Sequence, residues 1–243
     1  MNQALTARQT QILKALIDEY IETAEPVGSA SLEKKYNLGI SPATIRNEMA
    51  NLTSTGYLKQ PYTSAGRVPT SVAMKFYISQ LMEEKQMSLA EEVQTKEDVW
   101  DSRNDIDLLL EEATQALAAR TNNLAVAMTD DGKVFKAGLA NIFSSPEFCE
   151  SITSCMNIFA LLDEDQRIRE IFFEKIHGAS TIEVLFAEDL GWRNMAPISI
   201  VATQFNLGGK RGAMGVIGPV GQQFPRVIPV MRYFHDMMLG FFV

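Results

Sequence analysis

Length, composition and charge exclude several classes of protein. The chain has 243 residues, of which 46% are hydrophobic and 21% charged, which is ordinary for a globular protein with one small and one medium domain. No apolar run approaches the roughly 18 residues that a membrane-spanning helix needs. The first residues contain no apolar segment of a secretion signal, so we expect a cytoplasmic protein without membrane contact.

The net charge of −8 is unevenly distributed along the chain. Residues 1–80 contain eight Lys and Arg against six Asp and Glu, a charge of +2, so the rest of the chain carries −10. Affinity for DNA depends on local contacts to phosphates rather than on whole-chain charge. A mildly basic head on an acidic body is therefore compatible with nucleic-acid binding.

The first part of the chain contains signals for three helices. Thr6 and Gln9 form a capping-box pattern that precedes apolar residues at helical spacing. Ser41 followed by Pro42 is a strong start signal, because serine caps a helix and proline suits its first position. We therefore predict helices over residues 7–23, 30–36 (capped by Ser29) and 42–54.

Two short extended segments follow the third helix. Residues 57–61 end in proline, and residues 62–70 contain turn-forming small residues and a return segment. Three helices followed by a two-stranded flap is the order of elements in a winged helix-turn-helix domain, which we assign to residues 1–82. A further helix over residues 71–85 is expected to lead away from it.

The remaining chain divides into a connection and a second domain. Residues 83–112 hold eleven acidic and three basic side chains, which predicts an acidic helical linker or a partly disordered connection over residues 83–121. Residues 122–243 alternate between strand and helix patterns, which indicates an α+β domain with antiparallel hairpins. The predicted strands are 124–128, 133–139, 182–186, 198–205 and 213–217, and the predicted helices are 146–162, 165–173 and 224–239.

The third helix has the composition of a DNA-reading element. On a helical wheel its apolar residues cluster on one side, whereas the opposite side carries small residues, amides and one guanidinium. Small residues permit close approach to a groove floor, Asn pairs with adenine, and Arg pairs with guanine. The alternative is an ordinary solvated helix face, which the start signal and the downstream flap make less favoured.

Individual roles follow from position on this helix and in the flap. We predict base contacts from Thr44, Arg46 and Asn47, and a phosphate contact from Ser41. Arg67 in the flap either enters the minor groove, binds phosphate or is an ordinary surface arginine. Lys34 and Lys35 are weaker phosphate candidates. The predicted DNA-binding residues are Ser41, Ala43, Thr44, Arg46, Asn47, Asn51, Lys59 and Arg67.

No pattern predicts catalysis, a cofactor or a metal site. The two cysteines, Cys149 and Cys155, have neither disulfide-framework nor zinc-site spacing, so two reduced thiols are expected. His177 and His235 are scattered, and His235 lies in the closing amphipathic helix. No nucleophile elbow or dinucleotide fingerprint occurs. We therefore expect a protein that is not an enzyme.

Several long stretches resemble the heat-inducible transcription repressor HrcA family. In the N-terminal region they are 20–29 (YIETAEPVGS), 41–50 (SPATIRNEMA) and 56–70 (GYLKQPYTSAGRVPT). Farther along they are 138–148 (GLANIFSSPEF), 212–219 (GAMGVIGP) and 224–236 (FPRVIPVMRYFHD). The later stretches resemble the family's GAF-like domain, so the resemblance covers most of the chain outside residues 83–121.

The resemblance implies a cytoplasmic repressor of chaperone operons. It implies a homodimer that binds the inverted-repeat operator CIRCE and a repressor activity maintained by the GroEL chaperonin. Two features depart from the family pattern. Tyr62 stands where the family usually has His, and only the residues from Met128 to Gly138 fill the place of a longer stretch that includes an inserted dimerisation domain.

Two further hypotheses compete with this interpretation. One is a winged-helix regulator with a different operator, controlled by a small ligand in the GAF-like domain. The glycine-rich residues 208–218 lack the order of a phosphate-binding loop and are better explained as a hairpin turn and strand. The other is a winged helix that contacts only proteins, which would show no salt-dependent DNA binding.

Overall fold

The computed structural model describes residues 4–149, 152–177, 180–191 and 198–241. The chain divides into two compact units, Met1–Glu83 and Glu84–Val243, and each is described by itself. Within the described ranges, no helix is both long and apolar enough to cross a bilayer.

The first unit has the predicted order of three helices and a two-stranded wing. The bounds of the first and third helices agree with the sequence prediction, the second begins one residue earlier than predicted, and the two strands of the wing are antiparallel. The fourth helix is shorter than predicted and ends in one wide turn, Tyr77–Leu81. The elements are α1 (Ala7–Thr23), α2 (Ser29–Tyr36), α3 (Pro42–Ser54), β1 (Leu58–Lys59), β2 (Val68–Pro69) and α4 (Ser71–Phe76).

The caps explain where these helices begin. Thr6 and Gln9 form the expected capping box at α1, and the Ser41 hydroxyl accepts the Thr44 N–H at α3. The predicted cap of α2 is wrong. Gly28 is its N-cap, and Ser29 is the first helical residue with its side chain buried. A serine at the first helical position cannot accept from its own helix in the manner of a cap residue.

A polar network supports the packing of α1 inside the first unit. Glu19 of α1 is buried, and its carboxylate accepts from the Tyr36 hydroxyl at 3.0 Å and from Lys35 at 2.7 Å. The neighbouring Asp18 accepts from the Tyr77 hydroxyl at 2.6 Å. Both carboxylates therefore have donors, with Tyr36 and Lys35 both on Glu19 Oε2, which offsets the cost of burying an unpaired charge.

The second unit is a five-stranded antiparallel sheet with helices around it. The strand order is β4-β3-β7-β6-β5, and every neighbouring pair is antiparallel. The strands are β3 (Leu124–Thr129), β4 (Val134–Ala137), β5 (Glu183–Phe186), β6 (Ile198–Leu207) and β7 (Lys210–Pro219). The helices are α5 (Leu89–Trp100), α6 (Ile106–Thr121), α7 (Pro146–Cys149), α8 (Ile152–Asp163), α9 (Asp165–Arg169) and α10 (Phe224–Gly240).

Residues 83–121 differ from the acidic linker that the charge count predicted. They contribute α5 and α6 to the second unit, and α6 packs on β3, β4 and α10. The reason is the spacing of the apolar residues in α6, which places one continuous buried face opposite a narrow exposed side. The buried apolar residues of α6 are Leu109, Leu110, Ala113, Ala116, Leu117 and Ala118.

Three other predictions for the second unit concern one strand, one helix and the two thiols. Strand β4 ends at Ala137 because Gly138, at φ +78°, turns the chain into a 3₁₀ helix, Leu139–Ser144. The helix predicted over 146–162 is recorded as α7 and α8, with residues 150 and 151 outside the described part. Cys155 is a buried free thiol, whereas the side chain of Cys149 lies outside the described residues.

The turn between β3 and β4 is short and well bonded. Thr129 N–H donates to Lys133 O at 3.0 Å, and Gly132 adopts a φ of +92° that favours glycine. Asp131 accepts from Lys210 at 3.0 Å, and Lys133 pairs with Asp107 at the start of α6. These contacts close the hairpin directly where the family resemblance predicts a longer stretch.

The network around Glu19 predicts that Tyr36 loses its hydroxyl proton at a higher pH than an ordinary tyrosine. Burial, together with the hydrogen bond to Glu19, raises the pKa of Tyr36 from 10.0 to about 12. Because the pKa is raised on folding, the stabilisation is present below pH 10 and is lost as the pH rises through about 12. An ultraviolet tyrosinate titration of the wild type minus that of Tyr36→Phe should give a midpoint near 12. A midpoint near 10 would contradict the network.

Candidate nucleic-acid interface

Helix α3 presents two different faces. Ile45, Met49 and Leu52 are buried against α1 and α2, as the helical wheel predicted. The opposite side is open to solvent over the length of the helix, and Thr44 is half-buried at its edge. The exposed residues on this side of α3 are Ala43, Arg46, Asn47, Ala50 and Asn51.

The single carboxylate of α3 is directed away from this face. Glu48 is half-buried, accepts a hydrogen bond from Gln9 Nε2 at 3.1 Å and lies 3.9 Å from Arg8 Nη1. The exposed face of α3 therefore carries Arg46 without a neighbouring acid on the same helix. No described residue forms a hydrogen bond or an ion pair with the Arg46 side chain.

Ser41 is the N-cap of α3. Its hydroxyl oxygen accepts the Thr44 N–H at 3.2 Å and shares a second hydrogen bond with the Thr44 hydroxyl at 3.0 Å. Both side chains are therefore positioned by the cap. The exposed hydroxyl of Ser41 lies beside the N-terminal half of α3, which is the half that recognition helices direct at base edges.

The wing is joined to the turn between α1 and α2 by a backbone pair. Val27 N–H donates to Arg67 O at 2.9 Å, and Arg67 N–H donates to Val27 O at 2.8 Å. Gly66 makes this approach possible, because a Cβ at this position would lie 2.4 Å from Val27 O and 2.7 Å from Pro26 O. The glycine is required here for space.

The side chain of Arg67 is not the free surface arginine that one alternative described. It is half-buried, and its Nε donates to the Thr53 hydroxyl of α3 at 3.1 Å. Its Nη1 lies 3.4 Å from Gly66 O and 3.5 Å from Ala65 O. Arg67 therefore connects the wing to α3 while it retains further N–H groups for a ligand.

Gln60 organises the tip of the wing. Its side-chain amide donates to Thr63 O at 2.8 Å and to Ala65 O at 3.0 Å. Tyr62, at the same tip, is 63% exposed. Sequence reasoning missed the roles of Gln60, Thr53 and Glu48. Thr53 and Glu48 have partners 14 and 39 residues away, and the Gln60 contacts depend on how the chain folds back at the wing tip.

A groove separates α3 from the wing and brings two of the predicted residues together. Its volume is about 350 Å³, and both Arg46 and Arg67 line it. Two cationic side chains on one polar groove suit an anion such as a phosphate. The other lining residues are Gly28, Ser29, Met49, Gln60, Thr63, Ser64, Ala65 and Gly66.

The lysines differ in how far they remain available to phosphates. Lys59 is exposed on β1, beside buried Leu58, and Lys34 is exposed on α2. Lys35 pairs with Glu19 at 2.7 Å and with Glu22 at 2.6 Å, and these hydrogen bonds raise its pKa. Its charge is largely neutralised by two carboxylates, so it is the weakest of the three candidates.

The two histidines considered as catalytic candidates, His177 and His235, take part in hydrogen bonds within the protein. His235 Nδ1 lies 2.8 Å from the Thr203 hydroxyl in a half-buried position. The His177 backbone N–H donates to the Glu183 carboxylate. Within the described ranges, no group of three or more His, Cys, Asp or Glu could hold a metal ion.

Comparison with protein families matches both units. A model described as the winged helix-turn-helix transcription repressor, HrcA DNA-binding, matches residues 4–83. A model described as the HrcA protein C terminal domain matches residues 64–228. The matches together cover residues 4–228, which include nearly all of the first unit, the sheet and the first five residues of α10.

Similar curated proteins are named as HrcA repressors. The heat-inducible transcription repressor HrcA of Carboxydothermus hydrogenoformans is 26% identical over 327 aligned positions, which cover 93% of this chain and 95% of that protein. That of Symbiobacterium thermophilum is 43% identical over 119 residues, 49% of this chain and only 35% of that protein. Because the first alignment is longer than the 243-residue chain, the relative contains residues without a counterpart here.

A solved structure shares the fold. It is described as the crystal structure of a hypothetical protein at 2.2 A resolution, and it matches with a TM-score of 0.76 at 16% identity. The match covers 98% of this chain and 99% of that one.

Because the backbone passes so close to Gly66, we predict that one added methyl group at this position lowers the stability of the first unit. Gly66→Ala should destabilise the first unit by about 1–3 kcal/mol, since the added Cβ meets backbone atoms that cannot move without breaking the Val27 pair. Gly28→Ala is the matched control, because nothing lies within 4 Å of its Cβ position, and its effect should stay below about 1 kcal/mol. Urea unfolding measures both variants, and equal effects would contradict the steric argument.

Proposed function

Since the chain belongs to the HrcA family of heat-inducible transcription repressors, we propose that it represses chaperone genes by binding an inverted-repeat operator of the CIRCE type as a homodimer. The proposed site is the exposed face of α3 together with the groove beside the wing. It requires neither a catalytic group nor a cofactor, and we propose that the protein acts in the cytoplasm and is not an enzyme.

The arrangement of Arg46 and Arg67 is the observation that carries this proposal. The major groove of B-DNA accepts one helix, and the phosphate backbone beside it must then pass close to the wing. Both arginines line the groove between α3 and the wing. In this proposal Arg46 and Asn47 contact base edges, whereas Arg67, Ser41 and Lys59 contact phosphates.

The absence of acid from the exposed face of α3 supports the same assignment. Glu48 is paired with Gln9 and lies near Arg8, so a phosphate near Arg46 does not meet a carboxylate of this helix. The small residues Ala43 and Ala50 keep the helix surface low on both sides of Asn47. A helix of this shape can approach the floor of the major groove closely.

A homodimer with two-fold symmetry matches the symmetry of an inverted-repeat operator. Two copies of α3 would occupy major grooves about 34 Å apart, one helical turn of DNA, when a two-fold axis relates the protomers. We also propose that the GroEL chaperonin regulates the repressor, which the family membership implies. Chaperonin would act by maintaining the folded repressor, so sequestration of chaperonin by heat-unfolded proteins would lower the active fraction.

A salt series tests the DNA assignment. The purified protein should prefer a CIRCE-type inverted repeat over a scrambled duplex, and log K should fall linearly with log salt by about 0.9 for each phosphate contacted. Fluorescence anisotropy at several salt concentrations, with and without chaperonin, gives both quantities. Steep salt dependence without preference would indicate a different operator. No binding to either duplex would indicate a winged helix that contacts proteins.

Substitution of Arg46 separates base contact from phosphate contact. Arg46→Ala should cost about 1–3 kcal/mol on the repeat and much less on the scrambled duplex, because a guanine contact exists only on the correct sequence. Arg46→Lys is the charge-conserving control, since lysine retains a phosphate contact and loses the bidentate geometry. Equal losses on both duplexes for Arg46→Ala would show that Arg46 contacts phosphate instead.

A further inference from the structure

Helix α5 directs three of its four large apolar side chains away from the unit that it belongs to. Leu89 is 76% exposed, Val93 49% and Trp100 44%, whereas the buried residues of the same helix are Thr95 and Val99. Amphipathic helices of a globular domain normally bury their apolar stripe. The reversed orientation leaves an apolar surface whose exposure to water is unfavourable.

The orientation of α5 is fixed by contacts on its inner side. Thr95 is fully buried and donates to Glu91 O at 2.7 Å. Arg226 of α10 pairs with Glu91 at 2.8 Å, and Arg120 of α6 pairs with Asp98 at 3.0 Å. The helix therefore cannot rotate to bury the exposed residues without breaking these pairs.

The exposed residues form one line along the helix. Leu89, Val93, Lys96 and Trp100 follow one another at intervals of four, three and four residues, which is the spacing of the contact line of paired helices. Lys96 and Trp100 already contact each other, with the ammonium 5.3 Å from the ring centroid. Arg103 covers one face of the same ring at 4.3 Å and holds the indole in place.

When two copies of this line run in opposite directions, their side chains complement each other. In an antiparallel pair of α5 helices about a two-fold axis, Leu89 of one copy faces Trp100 of the other, and Val93 faces Lys96. Glu92 and Glu97 lie on the two sides of the line, so each Lys96 is brought near carboxylates of the facing helix. A two-fold pairing thus combines apolar contacts with charge complementarity.

We infer that this face of α5, formed by Leu89, Val93, Lys96 and Trp100, is the surface on which a second copy of the chain docks. The inference rests on the proposed function, because an inverted repeat requires two copies. A helix of 12 residues is about 18 Å long and buries less area than a stable dimer interface of standard size. The free dimer is accordingly weak, and binding of both protomers to one operator completes it.

Two substitutions in the same line should have opposite effects on the full chain. Val93→Lys places a second cation opposite Lys96 and should raise the dimer Kd by at least about tenfold. Lys96→Leu makes the line continuously apolar and should lower it by about tenfold. Met156→Ser, which removes a 64% exposed side chain from α8, is the control and should leave the dimer Kd unchanged. Sedimentation velocity over a concentration series measures all four proteins.

The DNA readout separates failure of this inference from failure of the proposed function. Val93→Lys should lose cooperative binding to the inverted repeat while it keeps wild-type affinity for a single half-site. A wild-type protein that stays monomeric at every concentration, or dimer constants unaffected by either substitution, would overturn the inference even if operator binding is intact. Absence of sequence-preferring DNA binding by the wild type would instead overturn the proposed function.

Discussion

Two backbone hydrogen bonds between Val27 and Arg67 determine the geometry of the candidate DNA-binding surface. They connect the turn after α1 to the start of β2, and the side chain of the same arginine reaches Thr53 near the end of α3. One residue therefore joins the wing to two parts of the helix-turn-helix. The width of the groove beside α3 depends on this connection, because the wing has only two residues in each strand to hold it otherwise.

The distribution of charge complements this geometry. The first 80 residues carry +2 and the remainder carries −10. A polyanion attracts the first part and repels the second, so electrostatics favours contact with nucleic acid through the first part. Within the first unit, the Glu19 carboxylate accepts hydrogen bonds from Tyr36 and Lys35 of α2, and the Glu48 carboxylate accepts one from Gln9 of α1. Both carboxylates therefore already have donors within the protein.

The sequence predicted the local features of the first unit well because they depend on neighbouring residues. The capping box at Thr6 and the Ser41 cap are interactions over three residues, and both helices begin where those signals place them. The assignment of the unit as a winged helix-turn-helix repressor domain is confirmed by the family match. The individual DNA contacts stay predictions, although Arg46 and Arg67 do line one groove.

Features that depend on distant residues could not be predicted in the same way. A count of acidic residues over 83–112 described mainly the segment before α6 and missed the buried face of α6, which only the sheet beneath it explains. The role of Gly66 depends on the carbonyl of Val27, 39 residues earlier in the sequence. The outward direction of Leu89 and Val93 follows from the ion pairs of α5 with α6 and α10, which no helical wheel contains.

The hairpin between β3 and β4 has a consequence for how proteins of this kind change in length. Its two strands are joined by an exposed turn whose ends are already adjacent. Asp131 and Lys133 of the turn form ion pairs with Lys210 of β7 and Asp107 of α6, respectively. A folded module placed between adjacent ends adds little loop-closure entropy and leaves the strand register unchanged. Such a turn tolerates the gain or loss of an entire domain during evolution, and it offers a position at which a reporter domain can be grafted without disturbing the sheet.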